Sequence, residues 1–249
     1  IGYLLYQIYG SVNSVNVTGS VTDHTFSLLQ DIEHPTLSLF AKDGGVYQGV
    51  YNGGVVNTLE INAVVDDFVR YTANVIAKQA TSNADTPSYD TEYDFIGKDI
   101  TVKVASTEGG LSGATALKLK ELNITFDTGA IADHTFGSYN PDDIYNAKMT
   151  IEGSFVKNYI DDTFKDLFTA DTAVYMQIKI EGDAVLASSN RPTITIVLNK
   201  VQIQNWERSG ANDELATETV DFKAFYNNTD GEQSSIVLRN VTTEYEIES

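Results

Sequence analysis

The chain contains no cysteine, which excludes a disulfide framework, a thiolate metal site and a thiol nucleophile. Histidine is nearly as scarce. His24, His34 and His134 are the full set, and none stands in HxH or HExxH spacing, so a histidine metal centre has too few ligands to start from. Four prolines in 249 residues leave long stretches in which backbone pairing is not interrupted. Basic residues are also few, 16 against 35 acidic ones, for a formal charge of −19. Such a chain repels polyphosphate, and neutralising phosphates supplies most of a nucleic-acid binder's affinity, so a reader of DNA or RNA sequence is excluded. The same repulsion suits a surface that nucleic acid passes without being held, although solubility alone also explains an acidic surface. No apolar run approaches the roughly 20 residues of a membrane-spanning helix, so no membrane span is expected.

What is present is period-two alternation, in segment after segment. In TAVYMQIKIE (172–181), Val174, Met176, Ile178 and Ile180 fall on one face and Tyr175, Gln177, Lys179 and Glu181 on the other. Similar strands are predicted near 34–41, 55–64, 67–77, 98–105, 116–126, 146–156, 193–204, 218–226 and 236–246. The fold class is therefore all-β, a barrel or sandwich of long antiparallel strands. Two strands change phase midway. Leu117 and Leu119 give way to Leu122, Ile124 and Phe126; Ile194, Ile196 and Leu198 give way to Val201 and Ile203. A bulge or a change of sheet fits both places. Residues 55–77 read as a long hairpin turning at Asp66–Asp67, and Asp43–Gly44 and Asp230–Gly231 are further turn signals. One segment, 157–170, has helical spacing instead. Its stripe is Tyr159, Ile160, Phe164, Leu167 and Phe168, with Asn158 as a candidate cap and Asp161 and Asp162 at the positive end of the dipole. Loops are expected at 78–94, 106–114, 182–192 and 207–216. No linker composition marks a boundary, so 1–249 reads as one domain.

Catalytic signatures fail one by one. GGLSGA (109–114) lacks the last glycine of a nucleophile elbow, no GxxxxGK[ST] occurs, and NNTDGEQSS (227–235) lacks the first aspartate and closing glutamate of a calcium loop. The pairs Asp66–Asp67, Asp142–Asp143 and Asp161–Asp162 are explained by turns and caps. Sequons at Asn16, Asn123, Asn227 and Asn240 carry meaning only in a eukaryotic secretory protein. DHTF occurs twice, at 23–26 and 133–136. Adjacent strand side chains point to opposite faces, so neither aspartate can orient its neighbouring histidine, and flanking residues do not match. The repeat is read as coincidence. No enzyme, no cofactor and no metal site is expected.

The segments MTIEGSFVKNYIDDTFKDLFTADTAVYMQIKIEG, RPTITIVLNKVQIQNW, ETVDFKAFYN and IVLRNVTTEY, in that order, resemble the tail tube (major tail) proteins of long-tailed, siphovirus-type bacteriophages. The earlier HPTLSLFAKDGGVYQGVYNGGVVNTLEINAVVDDFVRYTANVIAK looks like that family's first half, so the likeness covers roughly 20–247. The resemblance implies a virion structural protein made in the host cytoplasm. It implies self-assembly into stacked hexameric rings, with other tail proteins at the tube ends and double-stranded DNA only in transit. Relatives carry more sequence ahead of the position matching Ile1, which leaves barrel closure within this chain open. The alternative is an acidic carbohydrate-binding or glycan-processing β-sandwich at a cell or virion surface.

Two sets of residues follow as candidates. The polar face of the hairpin, Thr58, Glu60, Asn62, Arg70, Thr72 and Asn74, is expected to line the channel, opposite Leu59, Ile61, Val69, Tyr71 and Val75. The uncharged segment Ile1–Gly10, with Ile1, Tyr3, Leu4, Leu5, Tyr6, Ile8 and Tyr9, is expected to be an arm that reaches a neighbouring subunit, or else a first strand.

Overall fold

A computed structural model describes residues 1–43, 47–82, 93–210 and 215–246. The turn residue Gly44, residues 83–92 of the expected loop 78–94 and residues 211–214 of the expected loop 207–216 lie outside the described residues. In chain order the first elements are α1 (Gly2–Tyr9), β1 (Gly10–Thr18), β2 (Val21–Leu28), β3 (Leu37–Asp43), β4 (Tyr47–Val64), β5 (Arg70–Ile76), β6 (Thr81–Ser82) and β7 (Ile100–Ala105). There follow β8 (Leu119–Asp127), β9 (Ile131–Asp133), β10 (Asp143–Tyr145), β11 (Thr150–Asn158), α2 (Thr163–Thr169), β12 (Val174–Glu181), β13 (Thr193–Ser209), β14 (Thr217–Ala224) and β15 (Ser234–Asn240). Every expected strand is present with shifted ends, and the hairpin of β1 and β2 joins them. The hairpin turn at Asp66–Asp67 forms as read, with the Asp67 N–H donating to the Val64 carbonyl at 3.2 Å.

All pairings are antiparallel, and one path of them returns to its start. β7 pairs with β12, β12 with β13, β13 with β14, β14 with β11 and β11 with β8. The residue leading into β8, Leu117, bridges back to Val102 of β7 with its N–H 2.8 Å from the Val102 carbonyl. The barrel thus closes within the described chain. Its interior is one continuous apolar cluster, with Phe126, Phe155, Phe222, Met176, Ile178 and Ile196 fully or almost fully buried. Gly153 is required there: a Cβ would lie 2.5 Å from the Phe222 ring, which crosses the bare backbone.

Both phase changes are found. In β8, Lys120 has no partner in the register with β11, so Lys120 and Glu121 are both exposed before inward alternation resumes at Leu122. In β13 the change separates two partners. Thr193–Leu198 pair with β15, Val201–Ser209 pair with β14, and β12 runs along the other side through Val174↔Val201. Between them Asn199 is buried, its N–H bonded to the Gln233 carbonyl at 3.0 Å and its amide to Asp230 and Glu232. Asn227 donates to the Asn199 carbonyl, which clamps the Asp230–Gly231 turn against the split.

The helix reading at 157–170 needs correction. Residues 157–158 continue β11, since Lys157 and Glu218 face each other in register and form a buried ion pair, and Trp206 donates to the same Glu218 carboxylate at 2.7 Å. Asn158 is therefore strand; the N-cap position falls to Asp162, which makes no side-chain capping bond, and the preceding Asp161 accepts the Thr163 N–H at 3.0 Å. The helix is shorter than expected and only part of its stripe is inward. Phe164 is 3% exposed, edge-on to Phe155 and beneath the Lys157 ammonium, whereas Phe168 is 40% exposed and Ile160 points to solvent. Of the two readings of Ile1–Gly10, the first strand is corrected: Gly2–Tyr9 is helix α1, closed by Gly10 in the left-handed conformation (φ 78°). Leu5, Ile8 and Tyr9 enter the core, Ile1, Leu4 and Tyr6 pack at its margin, and Tyr3 stays half exposed. The Gln7 side chain, also buried, accepts the Val56 N–H at 2.8 Å and so ties α1 to β4.

Truncation should separate the two phenylalanines of α2. Phe164→Ala is expected to lower unfolding free energy by about 3–5 kcal/mol through lost transfer and an unfilled cavity. Phe168→Ala, at a ring 40% exposed, should cost about 1 kcal/mol, well below the loss at Phe164. Urea titrations of the two variants, followed by Trp206 fluorescence, check this; equal losses would place both rings in the core.

Candidate functional site

The hairpin residues singled out in the sequence share the face turned away from the core. Thr58 pairs with Asn74, Glu60 with Thr72 and Asn62 with Arg70. Leu59, Ile61 and Ala63 are buried on the other side, but Tyr71, expected inward, is 51% exposed because β5, which among the described residues pairs only with β4, is an edge strand. The polar face does not end at the hairpin. β4 pairs with β8 so that Thr58, Glu60 and Asn62 stand beside Asp127, Thr125 and Asn123. The same row continues through Thr150, Glu152 and Ser154 of β11 to Lys223, Asp221 and Thr219 of β14, then to Gln202, Asn205 and Glu207 of β13.

These side chains largely satisfy one another. Asn74 donates to the Thr58 hydroxyl at 2.7 Å, Asn123 donates to Glu60, Thr125 donates to Asn123, and Asn205 donates to Asp221 at 3.1 Å. Lys223 is paired with Glu152, and Arg70 with Asp67 at 3.2 Å. The Phe68 N–H and then Arg70 hold the Asp67 carboxyl below the usual carboxylate range. Across the hairpin alone Glu60 and Arg70 balance. Across the whole face Arg70, Lys223 and Lys120 meet Glu60, Glu121, Asp127, Glu152, Asp221 and Glu207, so the field is acidic, and Arg70 and Lys223 are already engaged. The extension beyond β5 was signalled in LNITFD and IEGSF by small polar residues at every second position, but only strand order shows that they are contiguous with the hairpin.

The two DHTF stretches part company. Asp23 makes a two-pronged pair with Arg239, at 2.6 and 2.7 Å, on the opposite side of β2 from His24. His24 is fully buried, 3.0 Å from the Thr242 carbonyl through Nε2 and 2.8 Å from the Ser14 hydroxyl through Nδ1, and edge-on to Tyr245. A carbonyl only accepts, so Nε2 carries the proton and Nδ1 accepts from Ser14. Burial holds the imidazole below its ordinary value. In the second stretch, His134 and Phe136 are exposed on the connection between β9 and β10. Among the described residues no group of three or more His, Asp or Glu side chains converges as a metal site, and no helix is long and apolar enough to cross a membrane.

A closed β-barrel that presents a continuous, mutually bonded polar sheet face, with its one buried histidine tied to backbone and hydroxyl, is the build of a structural protein. The family model of the phage tail tube protein matches residues 6–224, and the chain belongs to that family. It is a bacteriophage virion component that forms the tail tube and is not an enzyme, which decides against the glycan-binding alternative. The comparison with curated proteins finds no match. Among solved structures, the SPP1 tail tube is similar with a TM-score of 0.38 and 7% identity, over 60% of this chain and 81% of that one. An Hcp protein is similar at TM-score 0.32 and 14% identity, over 55% of this chain and 96% of that one. A type six secretion system protein is similar at TM-score 0.32 and 14% identity, over 54% and 88%.

The protonation state of His24 gives a pH test. Its folded value lies below the unfolded one, so the unfolded chain binds the extra proton first as pH falls. The stability that neutral His24 contributes is complete above its ordinary value of 6.5 and is lost as pH drops toward the folded value. Thermal melts from pH 8 down to 5 should therefore show a fall in the native protein, on the order of a few degrees, that is shallower in His24→Gln.

Proposed function

We propose that six copies of this chain close into rings that stack, with the polar sheet face of β5, β4, β8, β11 and β14 turned toward the bore through which double-stranded DNA leaves. The observation that carries this reading is that face itself. It is broad, unbroken across strands and net acidic, and its central cations, Arg70 and Lys223, are ion-paired; Lys120 at the bulge of β8 is the exception. Phosphates are repelled along it, because carboxylates outnumber cations. Thr58, Glu60, Asn62, Arg70, Thr72 and Asn74 are then one edge of the lining rather than the whole of it. The edge strand β5, with Tyr71 half bare, and the exposed strand β1 leave backbone pairing capacity that ring closure would use. Other tail proteins meet the tube at its ends. The role in contacting a neighbour expected of the N-terminal segment narrows to its outer side, where Tyr3 is the exposed member.

The absence of cysteine makes the test direct. Single Thr72→Cys protein is allowed to assemble, and its thiol is titrated with a small maleimide and with a maleimide carrying a polymer too large for the bore. The small reagent should label monomer and tube alike, while the large one should label only the monomer. Full labelling of assembled tubes by the large reagent would put this face on the outside. Electron microscopy of the same sample gives ring symmetry, and a number of subunits other than six would overturn that part.

A further inference from the structure

Where β15 and β14 diverge from β13, the sheet opens a cleft of about 760 Å³. Ile8 of α1, Leu28, Met149 and Phe225 give it an apolar lining. Three features mark it as built for an occupant. Lys148 and Lys200 stand at it, exposed and without an ion pair, in a chain of net charge −19, and Lys223 lines it too. Asn146, only 5% exposed, lines it with both side-chain polar atoms unpartnered. A buried amide without partners costs on the order of 1–3 kcal/mol unless something meets it. The lining combines apolar surface, a hydrogen-bonding amide and the charges of Lys148 and Lys200, which outnumber the one carboxylate of Asp31, and this fits an aromatic segment flanked by carboxylates.

The chain carries such a segment. The connection between β9 and β10, HTFGSYNPD, displays Phe136 at 108% and Tyr139 at 97% exposure, with Asp133, Asp142 and Asp143 at its base. It is held in shape: Thr135 donates to Asp142 at 2.6 Å and Ser138 donates to the Asn140 carbonyl at 2.9 Å. It is also held away from its own cleft. The Gln79 N–H donates to Asn140 at 2.7 Å and Lys78 to the Asp142 carbonyl at 3.1 Å, which pins it beside β5. The cleft's far wall is β13 and β14, on the other side of β8 and β11 in the strand order.

We infer that the 134–142 tip of one subunit seats Phe136 and Tyr139 in the cleft of the next, with Asp142 and Asp143 meeting Lys148 and Lys200 and with Asn146 bonded to the tip's backbone. Donor and acceptor surfaces lie at different places on the subunit, so the contact is head-to-tail and propagates, as a ring requires. This rests on the assembly proposed above and names the contact that drives it.

Two measurements test it on the full chain. The double variant F136S/Y139S should keep the native melting temperature, because both rings are in solvent, and should need at least tenfold higher concentration to assemble. Separately, Ser138→Cys subunits and Ala147→Cys subunits are mixed, assembled and oxidised; a disulfide dimer should form in the mixture and not in either sample alone. Tubes of F136S/Y139S at the native concentration, or mixed tubes without cross-links, would overturn the inference while leaving the tube reading intact. Wild-type protein that stays monomeric at every concentration would overturn the assembly reading and this contact with it.

Discussion

The architecture depends on β13 having to serve two neighbours on one side. Over Thr193–Leu198 it holds β15, and through it β2 and β1; over Val201–Ser209 it holds β14 and the barrel. A single alternating strand cannot keep its apolar residues inward across such a change, because the inward direction itself changes. The one extra residue between Leu198 and Val201 resets the phase. Asn199 supports the reset, since its N–H donates to Gln233, its carbonyl accepts from Asn227 and its side-chain amide donates to Glu232.

Consequences spread from that split. The space between the diverging strands must be filled or left as a cleft, and α1 fills its inner part with Leu5, Ile8 and Tyr9 while Tyr9 reaches the Ser234 hydroxyl at 2.7 Å. At the opposite end of β14 the barrel is closed by α2, and the Lys157–Glu218 pair with Trp206 sets where strand ends and helix begins. A buried ion pair of this kind contributes little net stability against its desolvation. Its effect is positional: it keeps Lys157 inward beneath Phe164, so the helix can sit only where that ring fits.

Charge is distributed to match. Carboxylates outnumber cations on the outer face of the sheet, where Lys223 and Arg70 are committed to Glu152 and Asp67. Lys148 and Lys200, which make no ion pair among the described residues, stand at the cleft. The cleft and the polar face meet at Thr150 and Lys223, which belong to both.

Much of this was legible in the residues. Alternation gave the strands and even the phase changes at Lys120 and Asn199, because side-chain direction in a strand is a local property set by the backbone. The polar side of the 55–77 hairpin, the separation of Asp23 from His24 and the order of segments shared with tail tube proteins were readable for the same reason. Misreadings occurred where a distant partner overrides local pattern. IGYLLYQIYG carries no helical charge pattern and no N-terminal capping side chain, only the closing Gly10, and becomes helix because β2, β4 and β8 offer a pocket for Leu5, Ile8 and Tyr9. KNYIDD has helical spacing yet begins as strand because Glu218, 61 residues later, pairs with Lys157. What the sequence by itself determined is which side of each strand is wet. Which wet sides join into one face, where the barrel closes and where a cleft opens were decided only by strand pairing between residues far apart in the chain, since their contact free energy exists only once the fold brings them together.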